Sequence, residues 1–307
     1  MAAPPPTRRH VPAAAQGAQA LGRATATLWP APAKLNLFLH IVGRRADGHH
    51  ELQTCFQFVD LYDEVSLEVR ADGQIGRVID IAGVPKETDL CVRAARALKA
   101  ASGTPLGVDI GVHKRIPMGA GLGGGSSEAA TCLAALNRLW QLHWTVRELA
   151  VLGLKLGADV PVFLHGRAAW AEGVGEKLTP LYGALAPPET NYLILKPNIS
   201  VSTAEVFQDP ELTRNSAAIT IHGFLTSGGH NDCLGVVRRR YPEVARALDW
   251  LSGFGAARLT GTGACVFLAC DSVDRGQEIL RSSPPDCDAF LVRGLNDSPL
   301  LEKLATG

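Results

Sequence analysis

The chain contains no run of about 18 consecutive apolar residues, so no segment reads as a membrane span. It has no net charge: 30 Lys+Arg balance 30 Asp+Glu, and an isoelectric point near 7.1 excludes a general electrostatic affinity for nucleic acid or anionic membrane. The seven cysteines are odd in number and include no C-x-x-C pair. That pattern suits reduced thiols in the cytoplasm better than a disulfide framework or a zinc site. The Walker pattern G-x-x-x-x-G-K-[ST] is missing, as are the H-R-D and D-F-G signatures of protein kinases.

What is present is an ordinary globular composition, 46% hydrophobic and 20% charged, which disfavours disorder as the main state. A length of 307 residues suits one large domain or two moderate ones, with a core that needs no disulfide or metal. Residues 1–28 stand apart. They hold Arg8, Arg9 and Arg23, no acidic residue, and no apolar stretch long enough for a secretory signal. An Arg-rich, acid-poor segment fits an organellar transit peptide, but the lack of serine fits a disordered Ala/Pro extension better, and the extension is the reading adopted.

From Ala33 the pattern changes. Leu35, Leu37, Leu39 and Ile41 alternate with Asn36, Phe38, His40 and Val42, the period of a strand, which places Lys34 and Asn36 on one face. Further strands are expected over 65–69, 108–112, 192–196, 264–269 and 289–292. Helices are expected over 89–101, after Ser126 or Ser127 as a cap, after the capping box Thr145-x-x-Glu148 and up to Gly157, around 231–252, and near 273–282. Pro187-Pro188 is the best linker candidate, dividing the chain into domains at 29–186 and 187–307.

The densest signal is Gly119–Ser127, where seven glycines and serines precede a helix. Without Cβ atoms the backbone can approach a ligand closely and wrap its N–H groups round an oxyanion, and the following helix N-terminus adds to the attraction. The anion expected is phosphate. Gly119-x-Gly121-x-x-Gly124 formally matches the dinucleotide fingerprint, but the region about 20 residues on begins another helix instead of closing a strand on an acidic residue. A glycine loop without a ligand is the remaining alternative.

PMGAGLGGGSSEAA resembles the phosphate-binding loop of the GHMP kinases. Four further segments narrow the resemblance: PAKLNLFLHIVGRRADGHHEL, LGADVPVFL, GVGEKLTPL and LTGTGACVF. Together they are similar to the branch that phosphorylates a cytidine-diphosphate-linked methylerythritol in the non-mevalonate isoprenoid route of bacteria. The likeness covers about residues 29–300. It implies a two-domain α+β fold, with a first domain like domain 2 of ribosomal protein S5 that binds ATP and a ferredoxin-like second domain that binds substrate. It also implies Mg²⁺ with the ATP, small-molecule partners alone, and a cytoplasmic monomer or weak homodimer.

The resemblance also assigns roles. Asp159 in LGADVPVF is the general base and Lys34 its partner, chemistry that a carboxylate and a neighbouring ammonium can supply. Pro117, Met118, Gly119, Ala120, Gly121, Leu122, Gly123, Gly124, Gly125, Ser126 and Ser127 form the nucleotide loop, Lys114 lines the adenine pocket, and Ser127 reaches Mg²⁺. Asn36 hydrogen-bonds substrate or orients Asp159. His50 contacts the cytosine, His49 holds the position of a stacking tyrosine, and Phe207 supplies the second aromatic. Thr203, Gly261 and Gly263 approach substrate or phosphate. Thr88-Asp89-Leu90 stands where the family has D-N-L, so an amide donor to adenine is lost at Asp89. Another small-molecule kinase of the superfamily and a non-catalytic relative are the rival readings; the retained Lys34 and Asp159 count against the second.

Overall fold

The structure, a computed structural model, describes residues 26–306. Most of the expected N-terminal extension lies outside the described residues. Its last two residues, Thr27 and Leu28, already pair with Leu67 and Ser66, so the first strand opens ahead of the expected boundary.

Two long strands organise the chain. β1 (Thr27–Arg44) and β2 (His50–Arg70) run antiparallel around a turn in which Arg45 N–H donates to the His49 carbonyl. The remaining strands are β3 (Ile75–Arg77), β4 (Gly107–His113), β5 (Ala169–Gly173), β6 (Lys177–Pro180), β7 (Asn191–Pro197), β8 (Arg258–Leu259), β9 (Val266–Cys270) and β10 (Cys287–Leu295). The edge of β2 away from β1 is shared in succession by three strands. β5 pairs with 52–56, β10 with Phe58 and Val59, and β4 with 64–70. β10 then leads through β7 and β9 to β8, making one continuous sheet in which only β3 and β4 run parallel. Predominantly antiparallel pairing with segregated helices is the α+β class expected.

The helices are α1 (Leu90–Ser102), α2 (Gly124–Leu139), α3 (Val146–Leu154), α4 (Val160–His165), α5 (Thr203–Gln208), α6 (Ile221–Ser227), α7 (Leu234–Arg240), α8 (Pro242–Ser252), α9 (Val273–Arg281) and α10 (Pro299–Thr306). Among the described residues none is long and apolar enough to cross a membrane. Local chemistry accounts for most of their ends. Asp89 caps α1 by accepting from the N–H groups of Cys91 and Val92, and Gly103 closes it in the left-handed conformation. The capping box at Thr145 and Glu148 forms as expected, although Lys155 and not Gly157 ends α3.

Two expectations are corrected. The helix expected around 231–252 is two, because the residue before a proline is driven from the helical region: Tyr241, before Pro242, sits at φ −126°, ψ 82°. Ser126 and Ser127 do not cap α2. The cap is Gly123 at φ 75°, and the first helical bond runs from Ser127 N–H to the Gly123 carbonyl, which leaves both serines inside the first turn.

Apolar side chains gather in three clusters. One unites α1, α2 and α4 with β2 and β4 around Phe58, Leu98 and Leu133. A second joins β7 and β9 to α7, α8 and α9 around Leu195, Val237 and Leu251. The third, with Leu35, Phe38, Val59, Ile194 and Phe267, lies at their junction. The chain does not divide cleanly at Pro187: Leu39 and Ile41 of β1 pack in the second cluster, and Leu300 of α10 returns to the first. The halves meet where β10 crosses β2, at Gly294 opposite Val59. A Cβ on Gly294 would lie 2.8 Å from the Tyr192 ring and 3.0 Å from Gln57 Oε1. Gly294→Val is therefore expected to lower stability by about 1–3 kcal/mol through overpacking of this seam. Urea denaturation checks it, and an unchanged midpoint would show that the two halves are not held together here.

Candidate active site

A cavity of about 620 Å³ lies where the two halves meet, and the glycine run forms its longest wall. Pro117, Met118, Gly119, Ala120, Gly121, Leu122, Gly123, Gly124, Gly125 and Ser126 all line it. The loop is tied to β1 by Lys34 N–H donating to the Leu122 carbonyl, and to the second half by Cys265 N–H donating to the Ala120 carbonyl. Gly119, Gly121 and Gly123 of the loop all take a positive φ, a conformation that favours glycine. Gly121 (φ 75°) and Gly123 (φ 75°) are left-handed, and a Cβ on Gly123 would meet Phe163 at 2.8 Å and Lys34 Cε at 3.0 Å. The missing side chain is what lets the lysine pass beneath the loop.

Lys34 is buried, 3% exposed, and its ammonium has three oxygen partners. Nζ donates to Asn36 Oδ1 at 2.6 Å and to the Gly121 carbonyl at 3.1 Å, and stands 3.3 Å from Asp159 Oδ2. Asp159 occupies the N-cap position of α4, yet its side chain makes no capping bond. Its carboxylate, one-third exposed, faces the cavity instead. The strand period placed Lys34 and Asn36 on one face, and they meet there. Asn36, expected to bind substrate or orient Asp159, has its oxygen taken by Lys34 and its amide donated to Thr54 Oγ1 at 3.0 Å. It thereby holds the lysine in place, and it also lines the cavity. A bulge between Asn36 and Leu39 shifts the alternation, which brings Leu39 to the cavity.

The second half contributes Thr203 and Phe207 from α5, and Gly261 and Thr262 from the LTGTG turn; Gly263 does not line the cavity. Thr203 and Thr262 hydroxyls are 2.9 Å apart, and Thr260 Oγ1 accepts from Asn36 N–H at 2.9 Å. His49 and His50 stand outside the lining. His49 is exposed because Asp47 holds it in the turn, taking a bond from its N–H at 3.0 Å and lying 3.2 Å from its ring. His50 stacks on Phe207 at a centroid distance of 5.2 Å and 24° between planes.

Lys114 lines the cavity, but its ammonium is bound to Asp63 Oδ2 at 2.6 Å and to Glu128. Asp63, fully buried, also accepts from the N–H groups of Arg115 and Ile116, fixing the chain as it enters the glycine loop. Burial raises the Glu128 carboxyl to about 8, helped by Asp63 and opposed by Lys114. Burial depresses the Lys114 ammonium, but Glu128 and Asp63 outweigh it and raise it overall. The lysine is thus a neutralising strut of the loop as well as part of the cavity wall. Asp89 also lines the cavity while its carboxylate serves the α1 cap and lies 3.3 Å from Arg77.

Ser127, expected at a metal, is fully buried; its Oγ has no partner and stands away from the cavity, which Ser126 lines. Among the described residues no three His, Cys, Asp or Glu side chains converge to hold a metal. One cavity-facing hydroxyl of the loop suits Mg²⁺ that arrives with a nucleotide and keeps phosphate and water as most of its ligands. Sequence reading missed the apolar wall formed by Ile81, Val84 and Leu90, and the carboxylate of Glu128. Glu128 adjoins the serines and was legible there; Ile81 and Val84 sit in an irregular segment that carries no motif.

Comparison with known proteins agrees with this arrangement. The GHMP kinases N terminal domain matches residues 89–167, and the GHMP kinases C terminal domain matches residues 211–284. The chain is 56% identical over 277 residues to the 4-diphosphocytidyl-2-C-methyl-D-erythritol kinase of Pseudomonas aeruginosa strain LESB58, covering 90% of this chain and 97% of that protein. The protein of the same name from Nitrosococcus oceani is 53% identical over 277 residues, 90% of this chain and 98% of that protein. A crystal structure of 4-(cytidine 5'-diphospho)-2C-methyl-D-erythritol kinase superposes with a TM-score of 0.74 at 33% identity, covering 87% of this chain and 99% of that one. Methanococcus jannaschii mevalonate kinase, at 17% identity and a TM-score of 0.64, covers 90% of this chain and 100% of that one and shares the fold.

The strut at Lys114 can be tested. Lys114→Met strands the buried Asp63 charge and is expected to cost about 3–5 kcal/mol of stability. A variant of wild-type stability in urea, altered only in nucleotide affinity, would confine Lys114 to the ligand pocket.

Proposed function

The chain belongs to the 4-diphosphocytidyl-2-C-methyl-D-erythritol kinases of the GHMP superfamily, and we propose that it transfers the γ-phosphoryl group of ATP to the 2-hydroxyl of that cytidyl compound. The observation that carries the reading is the Lys34–Asp159 pair, 3.3 Å apart at the foot of a glycine loop in a cavity between two halves. On this reading the enzyme is cytoplasmic, a monomer or weak homodimer, and serves the non-mevalonate isoprenoid route. Its first half, 29–186, holds ATP and its second, 187–307, the cytidyl substrate.

Phosphoryl transfer asks a protein to position its reactants and neutralise charge. The backbone N–H groups of the loop and the N-terminus of α2 bind the triphosphate. The Asp159 carboxylate accepts the proton of the substrate hydroxyl as its oxygen bonds to the γ-phosphorus. The bond from that phosphorus to the β–γ bridging oxygen breaks, and ADP leaves with the electron pair. Lys34, fixed by Asn36 and the Gly121 carbonyl, offers its positive charge to the incoming alkoxide and the transferring group. Ser126, which lines the cavity, would be the loop residue to hold a Mg²⁺ arriving with the nucleotide, and that ion would supply further charge neutralisation at the phosphates. Leu39, Leu52 and Val174 add apolar surface that limits water around the acceptor.

Asp159→Asn retains the shape and loses the proton acceptor, so kcat is expected to fall by roughly 10²–10⁴ with ATP affinity kept. Lys34→Ala should fall similarly, and the double variant should be little worse than either, because residues that act as a unit are non-additive. Steady-state kinetics with ATP and the cytidyl substrate measure this. A loss below about 10-fold for a folded Asp159→Asn would reject Asp159 as the base, since general-base removal costs more.

A further inference from the structure

Arg214 lies in the irregular segment after α5, and among the described residues no carboxylate pairs with it. All its contacts serve to hold other groups in place. NH1 donates to the Leu212 carbonyl at 3.0 Å, and NH2 to the carbonyls of Phe207 at 3.1 Å and Asp209 at 2.6 Å. Nε donates to His50 Nε2 at 3.0 Å. One guanidinium thus ties the end of α5, which carries Thr203 and Phe207 into the cavity, to the first residue of β2. A planar fork of five fixed donors can do this; a lysine ammonium has too few.

The contact has a chemical consequence for the histidine. An arginine Nε always carries its hydrogen, so the ring nitrogen that faces it must be an unprotonated acceptor. The hydrogen of a neutral ring then lies on Nδ1, and no described residue bonds that atom. Burial, with the cations of Arg214 and Arg44 and with His49 nearby, lowers the pKa of His50, which favours the neutral ring. The stack on Phe207 fixes its plane. His50 therefore presents a single polar group, a donor, beside an aromatic face that reaches the cavity.

We propose that Arg214 is the positioning residue for base recognition: by donating to His50 Nε2 it locks the Nδ1–H tautomer, which donates to cytosine N3 and rejects uracil. Cytosine N3 is an acceptor, whereas uracil N3 bears a hydrogen and would confront one donor with another. An unmet buried donor of this kind discriminates by about 10-fold or more. The proposal rests on the cytidyl reading of the site, and its test is arranged to separate the two.

Binding of CDP and UDP is measured by calorimetry on the full chain and on Arg214→Met and Arg214→Lys. Wild type should prefer CDP by at least about 10-fold, and both variants should lose most of that preference while ATP affinity stays unchanged. A CDP preference kept in full by both variants overturns the role of Arg214 and leaves the cytidyl reading standing. No CDP preference in the wild type overturns both. Nitrogen-15 NMR of histidine-labelled wild type, with His50 assigned through its loss in His50→Gln, reads the tautomer without needing any Arg214 variant to fold. A pyridine-type Nε2 and a pyrrole-type Nδ1 are expected; the reverse overturns the proposal.

Discussion

A buried ammonium has to be neutralised where it sits, and in this protein that constraint falls on Lys34. An isolated charge moved out of water costs several kcal/mol even after relaxation, unless oxygens replace the lost solvent. Here they come from three places: Asn36 on the same strand, the Gly121 carbonyl in the glycine loop, and Asp159 at the start of α4. One charge thereby ties a strand, a loop and a helix start to a common point. The loop can approach because Gly123 has no side chain to strike Lys34 or Phe163. The oxygen that helps neutralise the lysine belongs to the carboxylate proposed above as the general base, so on that reading the satisfied structure is already the reactive arrangement.

The same logic recurs one layer behind the loop. Asp63, Lys114 and Glu128 share charge in a partly buried cluster, and Asp63 also accepts from the backbone that leads into Pro117. The glycine run is flexible by composition, yet it is held at its entry by this cluster and beneath by Lys34. It is held from the other half by Cys265 N–H, which donates to the Ala120 carbonyl. Flexible residues clamped at several points allow close backbone approach to the cavity without leaving the loop to order on binding.

The cavity lies where it does because β2 is shared. Its far edge receives β5, β10 and β4 in turn, so the second half is joined to the first by a continuous sheet. The bulged middle of β1 brings Lys34, Asn36 and Leu39 to the junction, opposite the LTGTG turn and α5. Side chains from both halves are thus brought to one cavity over a common seam.

Likeness to a kinase family singled out the pairing of Lys34 with Asp159, while the amino-acid order by itself determined the class of fold, the glycine loop and the shared strand face of Lys34 and Asn36. Those features rest on short-range chemistry: strand period for Lys34 and Asn36, consecutive glycines for the loop, a capping box for α3. The sequence also carried five motifs in order along the chain. What it could not determine depends on parts distant in the chain meeting in space. The duty of Asn36 toward Lys34 and not Asp159 follows from a 2.6 Å contact, and the sealing of Ser127 from Gly123 starting α2 one turn early. Ile81 and Val84 become a cavity wall, and Arg214 reaches His50 across 164 positions, without any local pattern to announce either. Periodicity and motifs record what a residue does with its near neighbours; only the packed chain decides which remote group satisfies each buried donor, acceptor and charge.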